Sequence, residues 1–302
     1  STGLATILLS DAFYRLDPDT VLLLGDRSET HAAATTAMLM NIHIAHIHGG
    51  EITEGAIDEK IRHSITKMSS LHFTSTDEYR NRVIQMGENP NSVFCVGAPG
   101  IDNIINTSLL SKCDLESELC WKINGVTALF TFHPETLSTI DIKKEIKRIL
   151  KVIKSVGINV LFTYANSDNG GMIINNEIEK FVYKDKNKYL VIKNLGQLKY
   201  LSAMKHLDFV IGNTSSGIIE AASFHKPVVN IGSRQSGRLQ SGNVIDTSIE
   251  KLEDSIDKAT SASFVKYCRN VENIYGDGNA SGQIVTILEN NDPNIVKKFI
   301  DL

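Results

Sequence analysis

Two apolar runs near the start of the chain end in ionisable side chains, and a predicted helix close by begins with more of them. Gly25-Asp26-Arg27 follows one run, and His46-Ile47-His48-Gly49-Gly50-Glu51 ends the other. Asp58 and Arg62 are four residues apart, so they share one face of the helix. A carboxylate here can act as a base or orient a hydroxyl group, and a guanidinium can hold phosphate in a fork. These residues are therefore candidates for acid–base chemistry and phosphate binding.

The same carboxylates and arginines also have purely structural interpretations. Asp26 can cap the helix that is predicted from Glu29 onward. Asp58 and Arg62 can form a surface ion pair worth roughly a few tenths of a kcal/mol. Local sequence leaves the functional and the structural interpretation of Asp26 open.

A metal site is a further alternative. Side chains alternate along a strand, so His46 and His48 are predicted to lie on one face, where they can ligate a metal. Glu51 and Asp58 can complete such a site. Two histidines are weak support for a metal, and one of them can simply donate to a backbone carbonyl.

The second half of the chain again places polar groups after predicted strands. His133 follows the strand predicted at 127–132, and Asn166 begins a polar loop after the strand at 159–164. Ligands bind at the carboxyl ends of parallel strands, so both residues are expected to contact a ligand. Arg234 and Arg238 lie in a glycine-containing loop that suits phosphate.

The stretch Gly212-Asn213-Thr214-Ser215-Ser216-Gly217 is the strongest local signal. It follows an apolar run and opens a predicted helix, whose free N–H groups and two hydroxyls favour a diphosphate. Glu220 lies one turn further and can accept two hydrogen bonds from a ribose diol. The alternative is a Thr or Ser N-cap with Glu220 as a capping-box acid.

Strand and helix patterns alternate along the chain, which predicts βαβ units and parallel sheets. We expect an α/β protein with two Rossmann-like doubly wound domains that face a cleft. The first domain is predicted at 1–113, with 292–302 packing back on it, and the second at 114–291. A last short helix is predicted at 294–300. No glycine-rich turn precedes Val21, so the first domain is expected to be N-terminally truncated, and poorly folded with little turnover if the molecule starts at Ser1.

Composition excludes several classes of protein. The 302 residues carry a net charge of -4, so no basic surface argues for a nucleic-acid partner. The apolar runs are too short for a membrane span. Four cysteines without a CxxC spacing indicate reduced thiols and a cytoplasmic protein.

In this order, the motifs resemble the hydrolysing UDP-N-acetylglucosamine 2-epimerases of sialic acid synthesis, over nearly the whole chain. The resemblance implies two Rossmann-like domains arranged as in B-type glycosyltransferases (GT-B), the second of which binds UDP. It implies conversion of UDP-GlcNAc and water to ManNAc and UDP, by anti elimination to a 2-acetamidoglucal and then hydration. This chemistry needs acid–base groups on both sides of the sugar ring and no cofactor. We also expect a homo-oligomer, either a dimer or a tetramer.

The resemblance carries roles onto individual residues. Asp26 and Asp58 match catalytic carboxylates, and His133 matches a histidine near the diphosphate. Many family members have a catalytic glutamate where this chain has His48, so either His48 or Glu51 is expected to take that role. The predicted catalytic residues are Asp26, His48, Glu51, Asp58 and His133, and the predicted substrate-binding residues are Arg27, Arg62, Asn166, Ser215, Ser216, Glu220, Arg234 and Arg238.

Other functions remain open from sequence. The same chemistry on a 2,4-diacetamido UDP-sugar, as in legionaminic acid synthesis, is the main alternative. A non-hydrolysing epimerase fits the Gly-Gly-Glu and Ile-Asp signature less well. A metal-dependent hydrolase built on His46, His48 and Asp58, or an inactive nucleotide-sugar-binding module, would belong to a different class.

Overall fold

The structure is a computed structural model that describes residues 2–53, 57–134, 141–166, 170–291 and 297–301. Strands and helices alternate along these ranges, which confirms the predicted βαβ pattern. Part of the predicted C-terminal segment, at 292–296, lies outside the described residues. Residues 297–300 are described and are not helical, so the prediction of a helix there is wrong.

The first part of the chain forms five helices and four strands in the described residues. They are α1 (Thr2–Leu16), β1 (Thr20–Leu24), α2 (Ser28–Leu39), β2 (His43–Ile47), α3 (Asp58–Met68), β3 (Leu71–Thr74), α4 (Asp77–Gln85), β4 (Val93–Cys95) and α5 (Pro99–Asn106).

The remaining elements follow in the same alternation, with short 3-10 turns at Ala221–Phe224 and Ile249–Lys251. They are α6 (Lys112–Leu119), β5 (Thr127–Thr131), α7 (Ile142–Val156), β6 (Asn159–Thr163), α8 (Gly171–Val182), β7 (Tyr189–Ile192), α9 (Gly196–His206), β8 (Phe209–Gly212), α10 (Ser215–Ile219), β9 (Val228–Ile231), β10 (Val244–Thr247), α11 (Leu252–Thr260), α12 (Ala262–Cys268) and α13 (Ala280–Asn290).

The chain folds into two compact units. One contains Ser1–Asn103 and Tyr275–Leu302, and the other contains Ile104–Ile274. These limits differ from the predicted domains 1–113 and 114–291 mainly after Ile274, because α13 belongs to the first unit. Leu115 of α6 is buried in the core of the second unit, and Ile284 of α13 is buried against strands of the first.

The sheet of the first unit is parallel, with strand order β1-β2-β3-β4 in the described residues. Strands β2 and β3 are buried along almost their whole length, which suits apolar runs covered on both faces. Helix α1 buries Phe13, whereas its apolar side chains Leu4, Ile7 and Leu8 are exposed. The carboxyl ends of β1, β2 and β3 therefore meet at one edge of this sheet.

The sheet of the second unit has the order β10-β9-β8-β5-β6-β7, and every pair is parallel. Counted within this unit, the order is 6-5-4-1-2-3, which is the Rossmann order read from the opposite edge. The chain reverses its direction of travel across the sheet between β5 and β8. Ligands of doubly wound sheets bind at the carboxyl side of this switch point.

Helix α7 shows how sequence builds this unit. Asp141 caps its first turn by accepting hydrogen bonds from the amides of Lys143 and Lys144, and Gly157 ends it in the left-handed conformation. Ile146, Ile149, Leu150 and Ile153 form its buried face. Each such side chain contributes roughly 1.5–3 kcal/mol by leaving water.

Helix α13 is capped by a residue distant in sequence. Its own N-cap residue, Asn279, makes no side-chain capping hydrogen bond. Instead, the buried carboxylate of Asp102 accepts hydrogen bonds from the amides of Ala280 and Ser281, at 2.9 and 2.6 Å. These bonds fix α13 within the first unit.

No helix in the described part of the chain is long and apolar enough to cross a membrane.

Candidate functional site

Arg62 is the centre of a polar cluster in the first unit. Its guanidinium pairs with the carboxylate of Asp26 and donates to Thr53 Oγ1 at 2.8 Å. It also donates to Glu59 Oε2 at 2.8 Å and to the backbone oxygen of Glu51 at 2.7 Å. Arg62 is only 1% exposed, so this is a buried, fully coordinated charge and not the surface ion pair that its spacing from Asp58 allowed.

Asp26 lies at the carboxyl end of β1, as predicted. The N-cap of α2 is Arg27, which makes no side-chain capping bond, so the structure does not support Asp26 as a helix cap. The side chain of Asp26 is 23% exposed and pairs with the Arg62 guanidinium. A half-buried carboxylate oriented by a buried arginine is suited to accept a proton, or a hydrogen bond from a hydroxyl group.

Glu59 is a member of this cluster that the sequence interpretation missed. Its carboxylate accepts from the Thr53 amide at 2.7 Å, from Arg62 and, at 3.1 Å, from His63 Nε2. Partial burial opposes the effect, but these hydrogen bonds and the Arg62 charge lower the pKa of Glu59. Its spacing of three and four residues from Arg62 and His63 was the available signal.

Asp58 is the first residue of α3 and is partly buried. Arg62 lies one turn later on the same helix, as predicted, but forms its ion pairs with Asp26 and Glu59. Residues 54–56, which precede this helix, lie outside the described residues. The catalytic role of Asp58 therefore stays a prediction.

His48 and Glu51 form a close pair just beyond β2. His48 Nδ1 lies 2.6 Å from Glu51 Oε1, and Ser75 Oγ donates to the same oxygen at 3.2 Å. Strand β2 ends at Ile47, and His48 has a left-handed backbone with φ +69°. The alternation of a strand therefore does not extend to His48, and the prediction that it shares a strand face with His46 is wrong.

His46 forms a hydrogen bond with the backbone of Gly25, which directly precedes Asp26. Its Nε2 lies 2.9 Å from the Gly25 oxygen, and its Nδ1 lies 3.2 Å from Thr66 Oγ1. Complete burial lowers the pKa of His46 to about 3, so the ring is neutral at pH 7. A neutral ring that donates from Nε2 to Gly25 carries a lone pair on Nδ1, which faces the Thr66 hydroxyl.

The alternative of a metal site would require several ligand side chains close together. In the described ranges, no three His, Cys, Asp or Glu side chains lie close enough together to hold a metal ion. Both nitrogens of His46 and the Nδ1 of His48 are used in hydrogen bonds to protein groups.

In the second unit, His133 and Asn213 join the two strands at the switch point. The His133 amide donates to Asn213 Oδ1 at 2.7 Å, and Asn213 Nδ2 donates back to the His133 oxygen at 2.9 Å. The Asn166 amide donates to His133 Nδ1 at 3.1 Å. Nδ1 therefore carries a lone pair, and the proton of the neutral ring is on Nε2. His133 and Asn166 are thus brought together as the sequence predicted.

Gly212 is required at the end of β8. Its φ is +135°, and a Cβ here would collide with the backbone oxygen of Thr131. The chain then enters α10, whose N-cap is Thr214, with its hydroxyl accepting from the Ser216 amide at 3.4 Å. Tyr200 donates to Ser216 Oγ at 3.2 Å. This loop is thus built by close packing, and it presents two hydroxyls at a helix start.

Glu220 ends α10 and does not cap its beginning. The residue three positions after the N-cap is Gly217, so the capping-box interpretation of Glu220 is wrong. Burial raises the pKa of the Glu220 carboxyl to about 7, against a smaller lowering by a hydrogen bond from Ser216. Near neutral pH this carboxyl can therefore both donate and accept hydrogen bonds.

The loop after β9 is anchored to the same switch point. Arg234 Nη1 donates to the backbone oxygen of Asn213 at 3.1 Å, and Gln235 Nε2 donates to the same oxygen at 2.9 Å. Arg238 lies at the end of this turn and is half-buried. The predicted binding residues Ser215 and Ser216 thus lie in the first turn of α10, after β8. Arg234 and Arg238 lie on the loop that follows β9.

A cavity of about 490 Å³ opens beside these loops in the second unit. Its lining includes the predicted residues His133, Asn166 and Ser216. It also includes Lys193 and Tyr200, which the sequence interpretation missed. Lys193 directly follows β7, so the rule that ligands lie at the carboxyl ends of strands was the available signal.

Two Rossmann-like units with parallel sheets and polar groups at their strand ends define a GT-B-like α/β protein. The crystal structure of the UDP-GlcNAc 2-epimerase from Neisseria meningitidis bound to UDP-GlcNAc has the same fold. Its TM-score is 0.83 at 20% identity, over 96% of this chain and 81% of that one. At this identity the likeness shows the fold alone.

Sequence similarity shows the family. The family model for UDP-N-acetylglucosamine 2-epimerase matches residues 1–289, so the chain belongs to this family. The GDP/UDP-N,N'-diacetylbacillosamine 2-epimerase (hydrolyzing) of Campylobacter jejuni is 43% identical over 265 residues, which are 87% of this chain and 69% of that protein. Polysialic acid biosynthesis protein P7 of Escherichia coli is 38% identical over 283 residues, which are 92% of this chain and 72% of that protein.

The similar proteins are not limited to enzymes of sialic acid synthesis, which the sequence motifs resembled. The relatives named above include a protein named for a diacetamido sugar and one named for polysialic acid. Membership of the 2-epimerase family is therefore shown, whereas a specific link to sialic acid synthesis is not.

We predict that His46 makes stability fall in mild acid. The unfolded chain protonates this histidine below about pH 6.5, whereas the folded chain does so only near pH 3. The unfolded state thus binds more protons between these values, so the free energy of unfolding decreases as the pH falls through this window. At about 1.4 kcal/mol per pKa unit, the loss down to about pH 4 is about 3 kcal/mol.

Urea unfolding of wild type and His46→Gln at about pH 7.5 and about pH 4 checks this prediction. The variant is expected to be less stable at the higher pH but to lose less stability on acidification, because the substituted side chain does not titrate. Equal losses in the two proteins would contradict it.

Proposed function

We propose that this chain is a hydrolysing UDP-sugar 2-epimerase whose preferred substrate is a 2,4-diacetamido UDP-sugar. The observation that carries the substrate is the 43% identity to a protein named as a hydrolysing diacetylbacillosamine 2-epimerase. A second relative with a UDP-N,N'-diacetylbacillosamine name, from Legionella pneumophila, is 35% identical over 93% of this chain. We therefore prefer the 2,4-diacetamido UDP-sugar, which was the main alternative from sequence, over UDP-GlcNAc as the substrate.

UDP-GlcNAc is the second candidate substrate. It is favoured by the name of the family and by a UDP-N-acetylglucosamine 2-epimerase of Neisseria meningitidis that is 30% identical over 82% of this chain. Its product would be ManNAc, which can feed sialic acid synthesis. The two substrates differ at C4 of the sugar, so one enzyme assay with both of them distinguishes the candidates.

The proposed reaction proceeds by elimination and hydration. A base removes the proton at C2, the C1=C2 double bond forms, and UDP leaves C1 with the electron pair of the C1–O bond. Water then bonds to C1, and an acid delivers a proton to C2 from the opposite face. Asp26 and Asp58 are the proposed carboxylates of the hydration step, in which between them they deliver the proton to C2 and take one from the water that bonds to C1. The ion pair between Asp26 and Arg62 supports Asp26 in this role.

The second unit is proposed to bind UDP. Ser215, Ser216 and Arg234 would stabilise the diphosphate, on which negative charge develops as it leaves. Glu220 would bind the ribose hydroxyls, which suits a carboxyl with a pKa of about 7. His133, which presents Nε2–H as a donor, would contact a phosphate oxygen. Asn166, Arg238 and, from the first unit, Arg27 complete the proposed substrate contacts.

Turnover in deuterated water, followed by NMR with each UDP-sugar, tests this function. We expect release of UDP and a free sugar that carries deuterium at C2, because C2 is reprotonated from solvent. The 2,4-diacetamido substrate should have a kcat/KM at least about tenfold higher than UDP-GlcNAc. A product that still carries UDP would show a non-hydrolysing epimerase instead, and UDP binding without turnover would show a binding module.

Substitution of the carboxylates tests the site. Asp26→Asn and Asp58→Asn should each lower kcat by roughly 10²–10⁴-fold, because each removes a group that transfers a proton. UDP affinity, measured by calorimetry, should stay within about threefold because the proposed UDP contacts lie in the other unit. Asp11→Asn is the matched control, since Asp11 forms an exposed ion pair on α1. Unchanged turnover in both active-site variants would refute the assignment.

A further inference from the structure

His48 and Glu51, which form a close pair, differ in their exposure to solvent. The side chain of His48 is 17% exposed, whereas that of Glu51 is only 4% exposed. Glu51 Oε1 accepts both from His48 Nδ1 at 2.6 Å and from Ser75 Oγ at 3.2 Å. The carboxylate is therefore covered by protein groups, and the imidazole is the member that a substrate can reach.

The backbone is bent to bring these residues together. His48 has φ +69° and Gly50 has φ +79°, so the chain passes twice through the left-handed region within three residues. For a residue with a Cβ this conformation costs about 1–2 kcal/mol. A Cβ on Gly50 would also collide with the Tyr79 oxygen. The His48 amide still donates to the Phe73 oxygen at 2.9 Å, so the bend is held in place. Strain retained at such a position points to function.

The hydrogen bond fixes which nitrogen of His48 can react. An ionised carboxylate can only accept, so the proton of the bond to Glu51 is on Nδ1. In the neutral ring, Nε2 then carries a lone pair. The resting His48 is thus arranged as a base, in the way that a buried carboxylate orients the histidine of a catalytic triad.

We propose that His48 is the base that removes the C2 proton and that Glu51 is the residue that positions it. This assignment rests on the proposed function and identifies which of the two residues replaces the glutamate found in many family members. Glu51 holds the tautomer, and its negative charge stabilises the imidazolium that forms. Its backbone oxygen also accepts from Arg62, which pairs with Asp26, so Glu51 links both acid–base groups.

The protons balance over one turnover. His48 Nε2 takes the proton from C2 as the C1=C2 double bond forms and UDP leaves with the C1–O electron pair. In the hydration step, the acid on the opposite face gives its proton to C2 and recovers one from the water that bonds to C1. His48 then releases its proton to solvent, which balances the negative charge gained by the departing UDP.

Glu51→Gln and Glu51→Asp in the full chain test the assignment. Gln removes the charge, and Asp shortens the side chain by one methylene and moves the carboxylate away from Nδ1. Both should lower kcat by about 10–100-fold, with KM and UDP affinity changed by less than about threefold, as for other outer-shell partners of histidines. The ¹⁵N spectrum of the His48 ring, assigned with His48→Gln, should show Nδ1–H in the wild type and a mixture of tautomers in Glu51→Gln.

The matched control is Glu88→Gln. Glu88 Oε2 lies 3.1 Å from Nε2 of the buried His72, so this variant also breaks a buried Glu–His pair of the first unit. It should lower thermal stability and leave kcat unchanged. A Glu51 variant that loses stability but keeps kcat would likewise be only structural, and the proposal would be wrong.

The outcomes separate the two proposals. Turnover by the wild type together with a kcat within about threefold for Glu51→Gln overturns the role of Glu51 and leaves the proposed function intact. Wild-type His48 protonated on Nε2 in place of Nδ1 overturns the role of His48 without any variant. A wild-type chain that releases no UDP from either sugar overturns the proposed function and the role of His48 with it.

Discussion

The first unit depends on one buried charge. A guanidinium removed from water at Arg62 costs several kcal/mol unless every donor finds a partner, and unpaired it would unfold or distort the unit. Its partners, Asp26, Glu59, Thr53 and the backbone of Glu51, come from three separate stretches of chain. Satisfying this one charge therefore fixes the ends of β1 and β2 relative to the start of α3. The positions of the proposed acid–base groups therefore depend on the hydrogen bonds and ion pairs of Arg62.

In the second unit, a neutral side chain at the switch point has the corresponding role. The side-chain amide of Asn213 forms two hydrogen bonds with the backbone of His133. The backbone oxygen of Asn213 accepts hydrogen bonds from the side chains of Arg234 and Gln235. One asparagine at the switch point thus aligns the loops after three strands without a buried charge. This difference agrees with the proposed roles, since the carboxylates proposed for proton transfer in the first unit lie beside a compensating charge, whereas a diphosphate needs oriented donors.

Sequence patterns predicted the parallel sheets and the residues at the strand ends, because both follow from local periodicity. They did not predict Glu59 as a cluster member or Lys193 and Tyr200 as cavity residues, since those contacts depend on how distant segments meet. Alternation also failed at His48, where the backbone leaves the strand. The domain limits were displaced because the cap of α13 is Asp102, which lies far away in sequence.

Arg62→Lys tests most directly whether the Arg62 guanidinium positions the proposed acid–base groups. The quantity to measure is the kcat for release of UDP. Lysine keeps the charge, but its three donors share one nitrogen and cannot serve the four acceptors Asp26, Glu59, Thr53 and the Glu51 carbonyl at once. We expect Arg62→Lys to have a kcat at least about 100-fold lower, with UDP affinity within about threefold of wild type. A kcat within about threefold of wild type would contradict it.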